Sequence, residues 1–289
     1  MADKHVWHIQ VSEPSHVAAV SDAFLARLVS ELENEQVTAI ILKGSYARGE
    51  GTVYSDIDLT VFVCSEPDQT HHKCFYRDGR LINIEIHTIE SYRKLFLLPQ
   101  WAIFAVPSTR EACILLDKDG AFKRLQQEAK EWTWEPLQDA ANCYARETLL
   151  RQAENAHKAL RAFLVQDALA LAEMTLRIFY AITSAIIVQR GILSRSGNSY
   201  FRQVQESVGI DSAWTLYHRL IVGIEIDSTS DHLTEMRGIA ALRLYQETAS
   251  ILRHVLLASQ QGDVVEQTVT VIEEALAGKH ITYCDGKLQ

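Results

Sequence analysis

Two aspartates stand two residues apart, Asp56 and Asp58, at the start of an apolar run, Ile57-Asp58-Leu59-Thr60-Val61-Phe62-Val63. Side chains alternate faces along a strand, so the two carboxylates project together while Ile57, Leu59 and Val61 project the other way. Carboxylates side by side repel each other unless a cation lies between them, and an all-oxygen donor set suits one or two Mg²⁺ ions. Upstream of the pair lies Gly44-Ser45, which follows a second apolar run, Ile40-Ile41-Leu42. Glycine lets the backbone approach an anion closely, and the amides of a turn or helix start are donors to it. A glycine-rich turn or an Asp-X-Asp edge strand is ordinary when it occurs singly. Together on one strand–loop–strand unit they make the parts of metal-assisted nucleotide chemistry. Lys43 and Arg48 flank the loop and are candidate phosphate contacts, against the plainer reading of solvated loop cations.

The elements that must hold these groups follow from periodicity. Val17, Val20, Phe24, Leu25, Leu28 and Leu32 share one face of a helix over about 15–33, with Ser12 and Pro14 as its start. Cys74 to Tyr76 and Leu81 to Ile86 read as two arms of a β-hairpin turning at Asp78-Gly79. On the second arm Asn83, Glu85 and His87 share a face. A lone Glu between Ile84 and Ile86 asks for a partner, because a strand against the core holds an unpaired carboxylate only at a cost. A helix over 89–98 ends before Pro99, a short strand covers 111–116, and a turn at 117–120 leads into a helix over about 122–130. His71, His72 and Cys74 lack a fourth group spaced to complete a metal site and read as exposed. Asp117 and Asp119 read as turn formers.

The string Gly44-Ser45, ten residues, Asp56-Ile57-Asp58 resembles the signature of the DNA-polymerase-beta-type nucleotidyltransferase superfamily. The wording around it, GSYARGEGTVYSDIDLTV, is most similar to the bacterial antibiotic (aminoglycoside and lincosamide) and minimal nucleotidyltransferases. The resemblance implies transfer of a nucleoside monophosphate, AMP from ATP, to an acceptor hydroxyl with release of pyrophosphate. It gives Asp56 and Asp58 to Mg²⁺ and Gly44 and Ser45 to the β- and γ-phosphates. Glu85 matches the family's third acidic residue, as metal ligand or as base. The resemblance also implies a small hydroxylated acceptor. The alternative is a protein acceptor, in the manner of a toxin–antitoxin pair, with the helical half binding the protein.

After Trp134 the strand signals vanish. Helical patterns cover 137–166, 168–190 with Asp167 as cap and Gly191 as stop, 200–208, 212–221, about 229–259, and 264–277. The 168–190 helix is apolar almost all round and belongs at the centre of a bundle. The tail from 278 has no strong pattern. The fold class is therefore α+β: residues 1–134 form an α/β-like domain with a mixed sheet of four or five strands, and 135–289 an all-α bundle on the acceptor side. Glu173 is a candidate substrate-binding carboxylate, with Arg177 four residues on as a competing ion-pair partner. Glu147 and Glu154 are further carboxylates for a cationic acceptor, and Arg151 with His157 reads as a chance pair.

The formal net charge is −9 and the cations are scattered. That argues against a long nucleic acid as partner, which needs clustered Lys and Arg. Five cysteines without a C-x-x-C pair read as reduced thiols of a cytoplasmic protein. The start lacks the apolar core of a signal peptide, and the most apolar stretch, Leu176 to Val188, reads as too short to span a bilayer.

Overall fold

The computed structural model describes residues 20–66, 72–224, 232–257 and 262–277, and the short strands at 283–284 and 287–288. The chain divides into two units, one of residues 1–94 and 105–132, the other of 95–104 and 133–289.

In the first unit, helix α1 (Asp22–Leu32) begins where the Ser21 hydroxyl accepts from the Phe24 amide, a polar N-cap closing the first turn. The helix thus starts later than the expected 15–33, with residues 20 and 21 outside it, while Ser12 and Pro14, its expected start, lie outside the described residues. Strand β1 (Val37–Lys43) runs into the single turn α2 (Gly44–Ala47), then β2 (Ile57–Val63), β3 (His72–Arg77) and β4 (Arg80–His87). Helices α3 (Ile89–Lys94) and α4 (Pro99–Glu111, whose residues up to 104 count with the second unit), strand β5 (Cys113–Asp117) and helix α5 (Ala121–Glu131) follow. The five strands form one sheet in the order β3-β4-β2-β1-β5. It is mixed: β2 and β4 are parallel, and the other pairs antiparallel. Asp78 and Gly79 both have positive φ, as a two-residue hairpin turn requires. Asp117 and Asp119 accept the amides of Phe122, Lys123 and Ala121, so they cap α5 as turn residues do.

One sheet face is apolar. Ile40, Leu42, Ile57, Leu59, Val61, Ile82 and Ile84 pack with Phe24 and Leu28 of α1. On the other face Phe62 meets Tyr92 of α3 edge-on at 5.4 Å and Phe122 of α5 at 5.3 Å. These aromatic contacts cover only the Phe62 end, so the end carrying Asp58 is left polar.

Helix α4 is a correction to the sequence reading, which stopped at Pro99 and placed no helix before the strand. Pro99 opens the helix, where its missing N–H is no loss. Pro107 lies inside it and cannot donate to the carbonyl of Ile103, which accepts instead from the Ser194 amide at 2.7 Å. The final strand also shifts, from the expected 111–116 to Cys113–Asp117.

The second unit is helical: α6 (Gln138–Leu164), α7 (Ala168–Gln189), α8 (Tyr200–Val208), α9 (Ala213–Ile221), α10 (Leu233–Ile251), α11 (Arg253–Leu256) and α12 (Gly262–Ala275). The helix expected over 229–259 is thus two, and its ends fall outside the described residues. A two-stranded ribbon, β6 (Tyr283–Cys284) with β7 (Lys287–Leu288), stands where the tail was expected to be patternless. The buried alanines 141, 145, 153, 156 and 159 on α6 let α7 lie close against it. Asp167 caps α7 by accepting the Ala170 amide. Helix α7 as a whole is long and apolar enough to cross a membrane, contrary to the shorter stretch read from the sequence. Most of its apolar window is buried within the fold, however, as befits a core helix.

Among the described residues, the core of this unit holds one imidazole. His218 is fully buried between Trp214, stacked at 4.7 Å, and Phe179 at 4.5 Å. Gln205 donates to its Nδ1 at 3.0 Å, which leaves the proton on Nε2 to be donated to the Thr183 hydroxyl, also at 3.0 Å. Thr183 in turn donates to the Phe179 carbonyl. Burial, with a smaller push from the Arg219 charge, lowers the imidazole pKa to about 4.

Candidate active site

Strand register gathers the polar residues of the first unit into rows on one face. Lys43, Asp58 and Asn83 lie side by side on β1, β2 and β4, while Ile41, Thr60, Glu85 and His72 form the next row. Asp56 lies two residues before Asp58, just ahead of β2, and is half-buried.

Gly44 follows Lys43 with φ +68°, a left-handed conformation that favours glycine. A Cβ on it would fall 2.4 Å from Asp58 Oδ2, so the loop backbone rests directly against that carboxylate. The other oxygen, Oδ1, accepts from the Asn83 amide at 3.0 Å. Asn83 is itself oriented by His72, whose Nε2 donates to its side-chain oxygen. Burial raises the Asp58 pKa, and the nearby Asp56 and Glu85 charges add to that against the Asn83 amide and Lys43. A carboxylate so placed is short of positive charge.

Lys43 does not reach toward the loop. Its side chain crosses β2 to Glu85, with Nζ 2.6 Å from Oε2, and lies 6.0 Å from the centre of the Tyr92 ring. The lysine side chain is 12% exposed and the glutamate 43%. Burial disfavours both charges; for Lys43 the effects of Tyr92 and Glu85 together outweigh it, and for Glu85 the Lys43 ammonium is the main counterweight. Lys43 is held above the usual lysine range with help from Tyr92, and Glu85 below the usual carboxylate range with help from His87 and His72. Thr60, between them on β2, is fully buried with an unbonded hydroxyl.

Arg48 is likewise turned to carboxylates, Glu50 at 2.7 Å and Glu111 at 3.8 Å, with its side chain 10% exposed. Ser45 lies in α2, half-buried beside Gly44. Tyr46 shapes the rest of the loop. Its ring fills the space a Cβ on Gly51 would need, its hydroxyl donates to the Thr52 carbonyl, and Arg80 donates to that hydroxyl. The sequence reading passed over Tyr46, and only its place next to Gly44-Ser45 pointed to it.

The structure thus brings together Gly44, Asp58 and Asn83 at one end, and Lys43 with Glu85 at the other. Among the described residues no three His, Cys, Asp or Glu side chains converge as a metal cage. Asp56 and Asp58 fit a divalent cation. Asp56 stands two residues from Asp58, its charge bears on that carboxylate, and burial leaves Asp58 under-compensated despite Lys43 and the Asn83 amide. In the second unit Glu173 pairs with Arg177 at 2.6 Å on an exposed helix face, which is the ion-pair alternative read from the sequence. Glu147 and Glu154 pair the same way, with Arg151 at 3.6 Å and Lys158 at 2.6 Å.

Residues 25–103 match the model of a family described as a nucleotidyltransferase domain. A nucleotidyltransferase-like protein from Exiguobacterium sibiricum 255-15 is a solved structure similar to this chain. It shows 10% identity and a TM-score of 0.46, covering 89% of this chain and 92% of its own. No curated protein matches the chain significantly.

Proposed function

We propose that this chain, whose residues 25–103 match a nucleotidyltransferase domain, moves AMP from ATP, with Mg²⁺, to a hydroxyl of a small acceptor. The observation that carries the reading is the seating of the Gly44 backbone on the Asp58 carboxylate. It puts a loop suited to phosphate within van der Waals reach of a carboxylate suited to a cation.

In this reading Asp56 and Asp58 hold the cation. When bound, it neutralises charge on the α-phosphate and acidifies the attacking hydroxyl. The Gly44 and Ser45 amides and the Ser45 hydroxyl bind the β- and γ-phosphates, which orients pyrophosphate as leaving group. Asn83 fixes the Asp58 rotamer by donating to Oδ1. Tyr46 and Arg80 keep the loop folded over its glycines.

A small acceptor fits the net charge of −9 and the scattered cations, which suit an aminoglycoside-like molecule better than a polynucleotide in a cytoplasmic setting. A second reading, a protein acceptor, is favoured by the ion pairs of Glu147, Glu154 and Glu173, whose charges are already met by cations on their own helices. Incubation with labelled ATP, Mg²⁺ and a panel of hydroxylated antibiotics tests the proposal. Labelled antibiotic with pyrophosphate is the expected result. Labelled polypeptide instead selects the second reading, and a folded protein that releases no pyrophosphate with any acceptor overturns both.

A further inference from the structure

Three carboxylates suggest a shared metal cage, but the geometry divides them. We propose that Glu85 holds Lys43 rather than a metal, so that the site takes one divalent cation on Asp56 and Asp58 while the Lys43 ammonium stands as the second positive charge. The proposal rests on the nucleotidyltransferase reading and deepens it.

Several observations converge. Lys43 Nζ and Glu85 Oε2 are 2.6 Å apart, and the lysine side chain is almost enclosed where it crosses β2. Moving Glu85 to a metal would take from that ammonium, in a poorly solvated place beside Tyr92, the carboxylate that pairs with it directly, which is unfavourable for a buried charge. Glu85 also stands one strand over from Asp58 and one row away, level with Thr60. The two Asp58 oxygens are distinguished as well. Oδ1, on the β4 side, is taken by Asn83, while Oδ2 lies against Gly44. Oδ2 is thus the Asp58 oxygen without a hydrogen bond to Asn83, and it lies beside the loop backbone.

Mn²⁺ titration of the full chain, followed by the electron paramagnetic resonance of free Mn²⁺, reads ligands directly and without turnover. One Mn²⁺ per chain is expected. Asp58→Asn should weaken binding by more than about 10-fold, since loss of even an outer partner of a ligand costs that much. Glu85→Gln should stay below about 10-fold. Lys43→Met, which frees Glu85, should tighten Mn²⁺ or admit a second ion, and K43M/E85Q should remove that gain. If E85Q alone fails to fold because its lysine is left unpaired, the double variant carries the test, with Mn²⁺ affinity expected near that of the unmodified chain. An E85Q or K43M/E85Q protein that loses Mn²⁺ as Asp58→Asn does would make Glu85 a ligand and overturn the inference alone, provided the unmodified chain still releases pyrophosphate. A chain that neither binds Mn²⁺ nor releases pyrophosphate overturns the nucleotidyl-transfer reading and the inference with it.

Discussion

Gly44 and Asp58 are in contact such that the smallest possible side chain on the glycine would sit 2.4 Å from Asp58 Oδ2. Gly44→Ala must therefore displace the loop, the carboxylate or both, and also place a non-glycine residue at positive φ. The strained backbone costs about 1–3 kcal/mol. A misplacement on the order of 1 Å costs about 100-fold in rate. Pyrophosphate release should fall by at least that factor while the circular dichroism spectrum is kept. Activity within a few-fold of the unmodified chain would dissociate the loop from the chemistry.

Asp56→Asn and Asp58→Asn should abolish Mg²⁺-dependent pyrophosphate release with no loss of thermal stability. The sign follows from Asp58: its pKa is raised, so its ionised form opposes folding at neutral pH, and a neutral amide relieves that. Differential scanning calorimetry beside the activity assay checks both halves. Unchanged activity in the two variants would remove these residues from the site.

Asn83 acts by donating a hydrogen bond to Asp58, so its replacement should be graded by chemistry rather than by size. Asn83→Ala loses the donor and should cost about 10- to 100-fold in metal-dependent rate, as for outer partners of metal ligands. Asn83→Asp puts a like charge beside Asp58 and should be worse. Equal effects in steady-state assays would argue for simple packing.

His218 predicts acid sensitivity that has nothing to do with catalysis. Its folded pKa is about 4 against an ordinary value of 6.5, so the unfolded chain binds the proton first as pH falls. Its contribution to stability is present above pH 6.5, declines as pH drops through the interval, and levels off below 4. The whole effect is about 3 kcal/mol at roughly 1.4 kcal/mol per unit. Urea midpoints of the unmodified chain and of His218→Gln should converge as pH is lowered from 7 to 4. Parallel curves would contradict the buried neutral imidazole.

An aminoglycoside acceptor, if bound through carboxylates open to solvent, should lose affinity steeply as salt rises. Calorimetric titration at low and high ionic strength measures it. No binding at low salt removes the antibiotic acceptor and leaves the protein acceptor.

What the sequence made legible was local. Alternation around Asp56 and Asp58, the glycine before Ser45, the Asp78-Gly79 turn and the cap at Asp167 depend on neighbours a few residues away. The face shared by Asn83 and Glu85 could be read as well, since it follows from a period of two. Partners across long separations could not. Lys43 read as a loop cation, but Glu85, 42 positions on, takes its ammonium across a strand. Arg48 read the same way and is met by Glu111. Helix α4 was missed because Pro99 read as a helix end, whereas it begins a helix, and the carbonyl that Pro107 cannot serve within it is met by Ser194.

The path of the backbone has a consequence for dissection of the protein. Residues 95–104 count with the second unit although 105–132 return to the first, so the chain passes from one to the other three times. A single scission after Trp132 therefore does not yield two whole pieces. The upstream fragment would keep Leu95–Phe104 without Ser194, and with it an Ile103 carbonyl that Pro107 cannot serve. The downstream fragment would lack Ile103 from its apolar core. Halves intended for separate expression need the ten-residue excursion transplanted, and a naive truncation should be recovered mainly as aggregate.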